Sequence, residues 1–248
     1  MKIEYKRLPF EQYFIDQSQG SVGGETKPRF KINYELTEYE HDEGKDHKHT
    51  IYHKVVWDAL RHTIQIYFKE TADKSEWKAN FEFASKYYDR FDYNGKMIQL
   101  KTATGWGDMY SCVKWKIRNA VSELMRKHNG IDIYVEIIGW SLGSALAQLC
   151  AQDLYFNMGI KSHVFTFGSV KPWCHANKTV KKYLSECYEE CYNFGDHNDI
   201  VSYMVCLPWY FKLNPIKLKQ DKFSIFKLFK PQKYHCEYWK ADYYKDIK

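Results

Sequence analysis

The feature that most constrains this chain is a continuous run over residues 131–156: IDIYVEIIG, then Trp140-Ser141, then LGSALAQLCAQDLYF. The first part is β-branched and reads as a buried strand. The last part is rich in good helix formers and reads as a helix. Two residues separate them, so the chain must turn sharply. Gly139 and Gly143 flank that turn and lack the side chains that would keep strand and helix apart. The pattern Gly139-Trp140-Ser141-Leu142-Gly143 is G-x-S-x-G. Between a strand and a helix, such a turn lifts the serine hydroxyl clear of the backbone. The helix N-terminus then lies under a developing oxyanion, and the Leu142 N–H points at it.

The rest of the chain supplies similar elements. Residues 51–57 (IYHKVVW) and 63–68 (TIQIYF) alternate as strands and predict a hairpin. Val113, Ile117, Ala120, Val121 and Leu124 recur at helical spacing within a helix predicted over 108–128, and Asn129-Gly130 ends it. Residues 163–169 read as a strand, 176–190 as a helix and 191–194 as a further strand. Strands alternating with helices predict an α/β fold, with a mostly parallel sheet covered by helices on both faces. No linker or repeat interrupts the 248 residues, and one domain over 1–248 is expected.

Composition excludes several classes. Mean hydropathy is −0.62 and no apolar run approaches the ~18 residues that span a bilayer, so a transmembrane helix is not expected. The first residues show no signal-peptide pattern. The seven cysteines are an odd number without C-x-x-C spacing, which fits reduced thiols and a cytoplasmic location. Cys187 and Cys191 are spaced to share a helix face, but two thiols make a poor metal site. His41, Asp42, His47 and His49 fall in a charged stretch around Gly44 that reads as a turn between strands, so no metal is expected there. The 18% aromatic content is spread along the chain and reads as compositional bias.

A serine alcohol needs a base, and the base needs a carboxylate to orient it. On an α/β-hydrolase sheet the order along the chain is serine, acid, histidine. Asp196 and Asp199 follow the strand at 191–194, and both remain candidates for the acid. His197 lies too close to them to arch back, so His235 is the base by elimination.

The segment GWSLGSALAQL resembles the G-H-S-L-G-G-A-L-A segment of the fungal-type, class 3 lipases. The resemblance runs in register over roughly 50–240. Phe68-Lys69-Glu70-Thr71 stands where that family has F-R-G-T, and Trp77 and Asn80 match the W-x-x-N that follows. Thr104-Gly105-Trp106 replaces H-x-G-F ahead of the long helix. Thr166-Phe167-Gly168-Ser169 is similar to T-F-G-x-P, and Asn198-Asp199-Ile200-Val201 with Leu207-Pro208 to N-D-x-V-P-x-L-P. His235 with Glu237-Tyr238-Trp239 resembles the terminal H-x-x-x-E-Y-W. The resemblance implies an α/β-hydrolase fold, with Ser141 as nucleophile, Asp199 as orienting acid and His235 as general base. It places the oxyanion hole at the Thr71 and Leu142 amides. The departures are Lys69-Glu70 for Arg-Gly, Ser144 for the next glycine and Ser202 for proline.

The activity expected from this is cleavage of fatty-acyl esters, of lipase or phospholipase A type, without metal or organic cofactor. Two rivals stand beside it. One is an idle lipase-fold module that binds a membrane or partner, suggested by Glu70. The other is an acyltransferase using the same acyl-enzyme. The segment 72–80, where this family carries a lid, is polar and predicts weak interfacial activation. The whole charge of +6 falls between Lys212 and Lys233, where seven lysines face one acid, Asp221. Lysine mixed with phenylalanine over 211–230 suits an anionic membrane surface. The stretch holds no arginine and no nucleic-acid motif, so nucleic acid is not expected as a partner.

Overall fold

The computed structural model describes residues 4–19, 27–40, 48–69, 85–203, 208–218, 224 and 231–247. The hairpin read at 51–68 is strands β2 (Lys48–Asp58) and β3 (Thr63–Phe68), and β1 (Glu35–Glu40) pairs with the outer edge of β2. The buried run at 131–139 becomes β6 (Tyr134–Trp140). Beyond it lie β7 (Ser162–Phe167), β9 (Tyr188–Asp196) and β11 (Pro215–Leu218). The sheet order is β1-β2-β3-β6-β7-β9-β11, antiparallel through β3 and parallel from β3 onward. A strand buried on both faces need not alternate apolar with polar residues, and β6 and β7 are buried along nearly their whole length without such alternation.

Each face of the sheet has its own core. One is mainly aliphatic and packs Ile64, Ile66, Val135, Ile137 and Val164 under helices α2 (Thr104–Lys127), α3 (Leu142–Met158) and α4 (Lys178–Glu186). The other is dominated by aromatic rings. Phe10, Tyr13 and Phe14 of α1 (Phe10–Ser18) share it with Phe165, Phe167 and Phe194 from the strands and Tyr238 and Tyr244 near the C-terminus. Tyr13 stacks on Phe165 at 4.1 Å. Much of the aromatic content is therefore core.

The N-terminal segment is tied down by a buried polar network. Glu136 on β6 is fully buried and accepts bonds from Arg61 at 2.7 and 2.8 Å, from the Tyr13 and Tyr5 hydroxyls, and from the Gln65 amide. At the end of α1, the Gln17 amide donates to the Phe68 carbonyl at 2.5 Å, where β3 runs toward the serine turn.

Several expectations need correction. The long helix begins at Thr104, so Thr104-Gly105-Trp106 form its first turn. The helix expected over 176–190 stops at Glu186, where the chain passes into β9. Cys187 follows the helix end and Cys191 lies in the strand, so they share no helix face. A second, antiparallel sheet orders β10 (Tyr210–Phe211), β8 (Trp173–Cys174), β5 (Lys96–Ala103) and β4 (Ser85–Tyr93). Its β4–β5 turn is Asn94-Gly95 with φ of 52° and 74°, a hairpin signal present in the sequence. Residues 41–47, which hold His41, Asp42 and His47, lie outside the described residues, as do Glu70, Thr71, the lid stretch 72–80 with Trp77 and Asn80, and most of 219–230. No helix among the described residues is long and apolar enough to cross a membrane.

Candidate active site

Ser141 occupies the single residue between β6 and α3, with φ 56° and ψ −124°. Positive φ is costly for a residue with a Cβ, and such strain persists only where the surroundings enforce it. Here backbone bonds do so. The Ser141 N–H donates to the Phe167 carbonyl at 2.9 Å, and its own carbonyl accepts from the Ser144 N–H at 2.9 Å and the Ser144 hydroxyl at 2.5 Å. The Ser144 hydroxyl in turn accepts from the Val170 N–H at 3.0 Å, linking the first turn of α3 to the loop after β7. Serine at 144 thus does more than keep the position small.

The glycines set the depth of the turn. A Cβ on Gly139 would stand 2.2 Å from the Gly143 carbonyl oxygen, and one on Gly143 would stand 2.2 Å from the Phe68 carbonyl oxygen. Helix α3 is therefore pressed against both β6 and the end of β3. Leu142 is its first residue, so its N–H falls outside the intrahelical ladder and is free for an oxyanion. Thr71, the other expected donor, lies outside the described residues.

Asp199 follows β9 and is fully buried. Its Oδ2 accepts from His235 Nδ1 at 2.9 Å, from the Tyr238 hydroxyl at 2.7 Å and from the Ser202 hydroxyl at 3.2 Å. Its Oδ1 accepts from the Val201 N–H at 2.9 Å. Burial alone would push this carboxyl upward. The His235 charge and the hydrogen bonds from His235, Tyr238 and Val201 outweigh it and hold Asp199 below the usual carboxylate range. Asp196, the other candidate acid, is the last residue of β9 and spends its Oδ1 on the Asn198 N–H at 2.7 Å.

His235 lies in the short helix α5 (Pro231–Cys236) and is buried, not a surface residue. Its carbonyl accepts the Trp140 indole N–H at 3.0 Å, and the two rings sit 5.5 Å apart. The residue just before Ser141 thus holds the histidine. Gly168 completes the arrangement. Its φ is 53°, and a Cβ there would meet His235 Cε1 at 2.4 Å and Nδ1 at 2.6 Å. Gly168 follows Phe167, whose carbonyl holds the Ser141 N–H, so serine turn and imidazole converge on one short loop. Reading the sequence alone assigned no role to Trp140, Gly168, Ser202 or Tyr238. For Gly168 and Tyr238 a signal existed, because both sit inside motifs of the resembled family.

Lys212 also departs from expectation. It heads the lysine-rich stretch, yet its ammonium turns inward and donates to the Ser169 carbonyl. Desolvation pushes this amine down to about 7, with Asp199 opposing and Lys171 and Lys217 reinforcing the shift. Two apolar side chains in the turn that follows Asp199 stay exposed, Ile200 (41%) and Tyr203 (36%), and Trp209 (44%), stacked on His175, is exposed as well. Among the described residues no cluster of His, Cys, Asp and Glu is arranged to hold a metal ion.

Residues 65–207 match the family model for lipase (class 3). The chain is 30% identical over 106 residues to phospholipase A1-Ialpha2, chloroplastic, and 31% identical over 106 residues to galactolipase DONGLE, chloroplastic, both from Arabidopsis thaliana. Each alignment covers 38% of this chain and 22% of the relative, so the chain spans about a fifth of their length. Among solved structures, a fungal lipase–inhibitor complex superposes with a TM-score of 0.57 at 23% identity, over 68% of this chain and 61% of that one. That likeness establishes the α/β-hydrolase fold.

Proposed function

The chain belongs to the class 3 lipase family, and from that membership we propose that it is a serine carboxylester hydrolase acting on fatty-acyl esters, of lipase or phospholipase A type. One observation carries the reading: a buried Asp199–His235 pair packed against a strained Ser141 turn. In this scheme Ser141 attacks the ester carbonyl while His235 takes its proton. Asp199 holds the imidazole with Nδ1 as donor and stabilises the imidazolium that forms. The oxyanion rests on the Leu142 amide, with Thr71 assigned the second position on the family pattern. One such donor contributes about 3 kcal/mol to the transition state. His235 then protonates the leaving alcohol, and water cleaves the acyl-enzyme. The scheme uses neither metal nor organic cofactor.

The substrate is proposed to lie at a lipid surface. Ile200 and Tyr203 are exposed in the turn after Asp199, and the lysines of 211–230 suit anionic head groups. The names of the chloroplastic relatives point the same way. We read residues 1–248 as one domain. The free cysteines among the described residues fit a reducing, cytoplasmic setting with peripheral membrane contact.

Intact-mass labelling with a fluorophosphonate probe tests the reading. The wild type is expected to gain one adduct and Ser141→Ala none, with loss of ester hydrolysis in the same variant. A wild type that stays unlabelled with anionic vesicles present would favour the idle binding module, for which Glu70 in place of the family's glycine is the supporting feature.

A further inference from the structure

Behind the Asp199 loop lies a cavity of about 340 Å³ that the proposed reaction does not use. It is bounded by the end of β9, the turn after Asp199, and strands β10 and β11. Tyr203, Phe211 and Ile216 line it with apolar surface, while Lys171, Lys212 and Lys217 bring three amines to it. Its size falls within the ~300–1,000 Å³ of small-molecule sites.

The charge in this cavity is unbalanced. Among the described residues no carboxylate forms an ion pair with Lys212, whose ammonium has only the Ser169 carbonyl. The acid whose charge acts on Lys212, Asp199, already accepts bonds from His235, Tyr238, Ser202 and Val201. Asp196 is on the wall too, but its Oδ1 is taken by the Asn198 N–H. Lys171 and Lys217 add repulsion. A desolvated cation without a counter-ion is one half of a buried ion pair, and an oxyanion would complete it. The apolar walls would go uncovered by a bare inorganic anion, whereas an alkyl chain would fill them.

We propose that this cavity binds an amphiphilic oxyanion, an alkyl phosphate or fatty carboxylate, with its head group on Lys212 between Lys171 and Lys217 and its chain along Tyr203, Phe211 and Ile216. The inference deepens the hydrolase reading by giving it an anionic lipid ligand at a position apart from Ser141. The two ligand forms correspond to two sources, a phosphorylated head group and a released fatty acid.

Titration calorimetry on the full chain tests this with four probes: dodecyl phosphate, laurate, dodecanol and inorganic phosphate. Lysine acetylation footprinting locates the bound probe. Dodecyl phosphate or laurate is expected to bind at least tenfold more tightly than dodecanol and inorganic phosphate, and to protect Lys212 from acetylation. The tighter of the two anions identifies the source. Lys212→Met is expected to weaken that binding at least tenfold. The double variant Lys171→Gln/Lys217→Gln, which leaves the inward amine in place, is expected to weaken it severalfold and decides the matter if Lys212→Met fails to fold. Dodecanol binding as well as the anions, inorganic phosphate binding as well as dodecyl phosphate, or unchanged affinity in a folded variant would each overturn the proposal. A chain labelled at Ser141 that ignores both anions overturns this inference alone. A chain that binds them at Lys212 but never reacts with fluorophosphonate overturns the hydrolase reading alone.

Discussion

The two faces of the central sheet hold the two halves of the candidate site by different means. On the mainly aliphatic face, the serine turn is fixed by backbone packed on backbone: Gly139 against Gly143, and Gly143 against Phe68. On the aromatic face, Asp199 and His235 are fixed by side chains, the Tyr238 hydroxyl and the Trp140 indole, with the imidazole in the space left by the absent side chain of Gly168. Close-packed backbone cannot yield to a new atom without moving an element, whereas a side chain can change rotamer. The serine half should therefore fail together with the fold, and the histidine half should fail on its own.

The sharpest break is Gly139→Ala. The new methyl would be driven into the Gly143 carbonyl at 2.2 Å, and neither β6 nor α3 can retreat without disturbing the central sheet. The expected cost is at least about 3 kcal/mol, the upper end for overpacking a core. Thermal unfolding should shift down by many degrees, and fluorophosphonate labelling should vanish along with native circular dichroism. A variant that melts near wild type would show that the turn has slack, and the contrast between the faces would weaken.

Gly168→Ala tests the other half. Its methyl meets an imidazole, not a backbone, so His235 can be pushed aside. Holding alanine at φ 53° costs about 1–2 kcal/mol, which a folded domain survives. Displacing the base by about 1 Å is expected to lower kcat/KM roughly 100-fold. The outcome to look for is a cooperative, slightly lowered melt with the labelling rate collapsed. Equal losses of stability and activity would erase the distinction drawn above.

The same contrast decides what the sequence made legible. The strand, the glycines and the helix that make the serine turn all fall within residues 131–156, so pattern alone predicts strand, turn and helix together, while the Phe68, Phe167 and Val170 contacts that brace it come from elsewhere in the chain. The parallel sheet followed from the same alternation of buried strands with helices. Choosing Asp199 over Asp196 required family resemblance, because both acids follow one strand and only the fold decides which one faces an imidazole 36 residues away. Trp140 reaches His235 across 95 residues, and Phe10, Tyr13 and Phe14 find their partners mainly on strands far along the chain. No periodicity encodes such contacts. The β4–β5 hairpin was different, since Asn94-Gly95 announces a turn that needs positive φ at both positions.

Tyr238→Phe should give the smallest effect and separates positioning from packing. The ring is fully buried among Phe14 and Phe167, and phenylalanine keeps those contacts. What is lost is the hydroxyl, which donates to Asp199 at 2.7 Å and accepts from the Asp196 N–H at 3.0 Å. Leaving such buried partners unsatisfied costs about 1–3 kcal/mol. Asp199 keeps His235, Ser202 and Val201 as donors, so the imidazole stays near its place and kcat/KM should fall only about tenfold, at the low end for a hydrogen bond to a charged group. The pH dependence carries the diagnosis. A carboxyl held low in the folded state contributes stability above its unfolded pKa of about 4, and that contribution is lost as pH falls through the folded value. Removing a donor to the carboxylate raises the folded value toward the unfolded one. The stability gap between Tyr238→Phe and wild type should then be widest at neutral pH and close as pH falls through the two folded values, first the variant's and then the lower wild-type one, both below the unfolded value of about 4. A gap that stays constant across that range would mean the hydroxyl acts through the Asp196 amide, and the aromatic face would then hold the acid by packing, as the aliphatic face holds the serine.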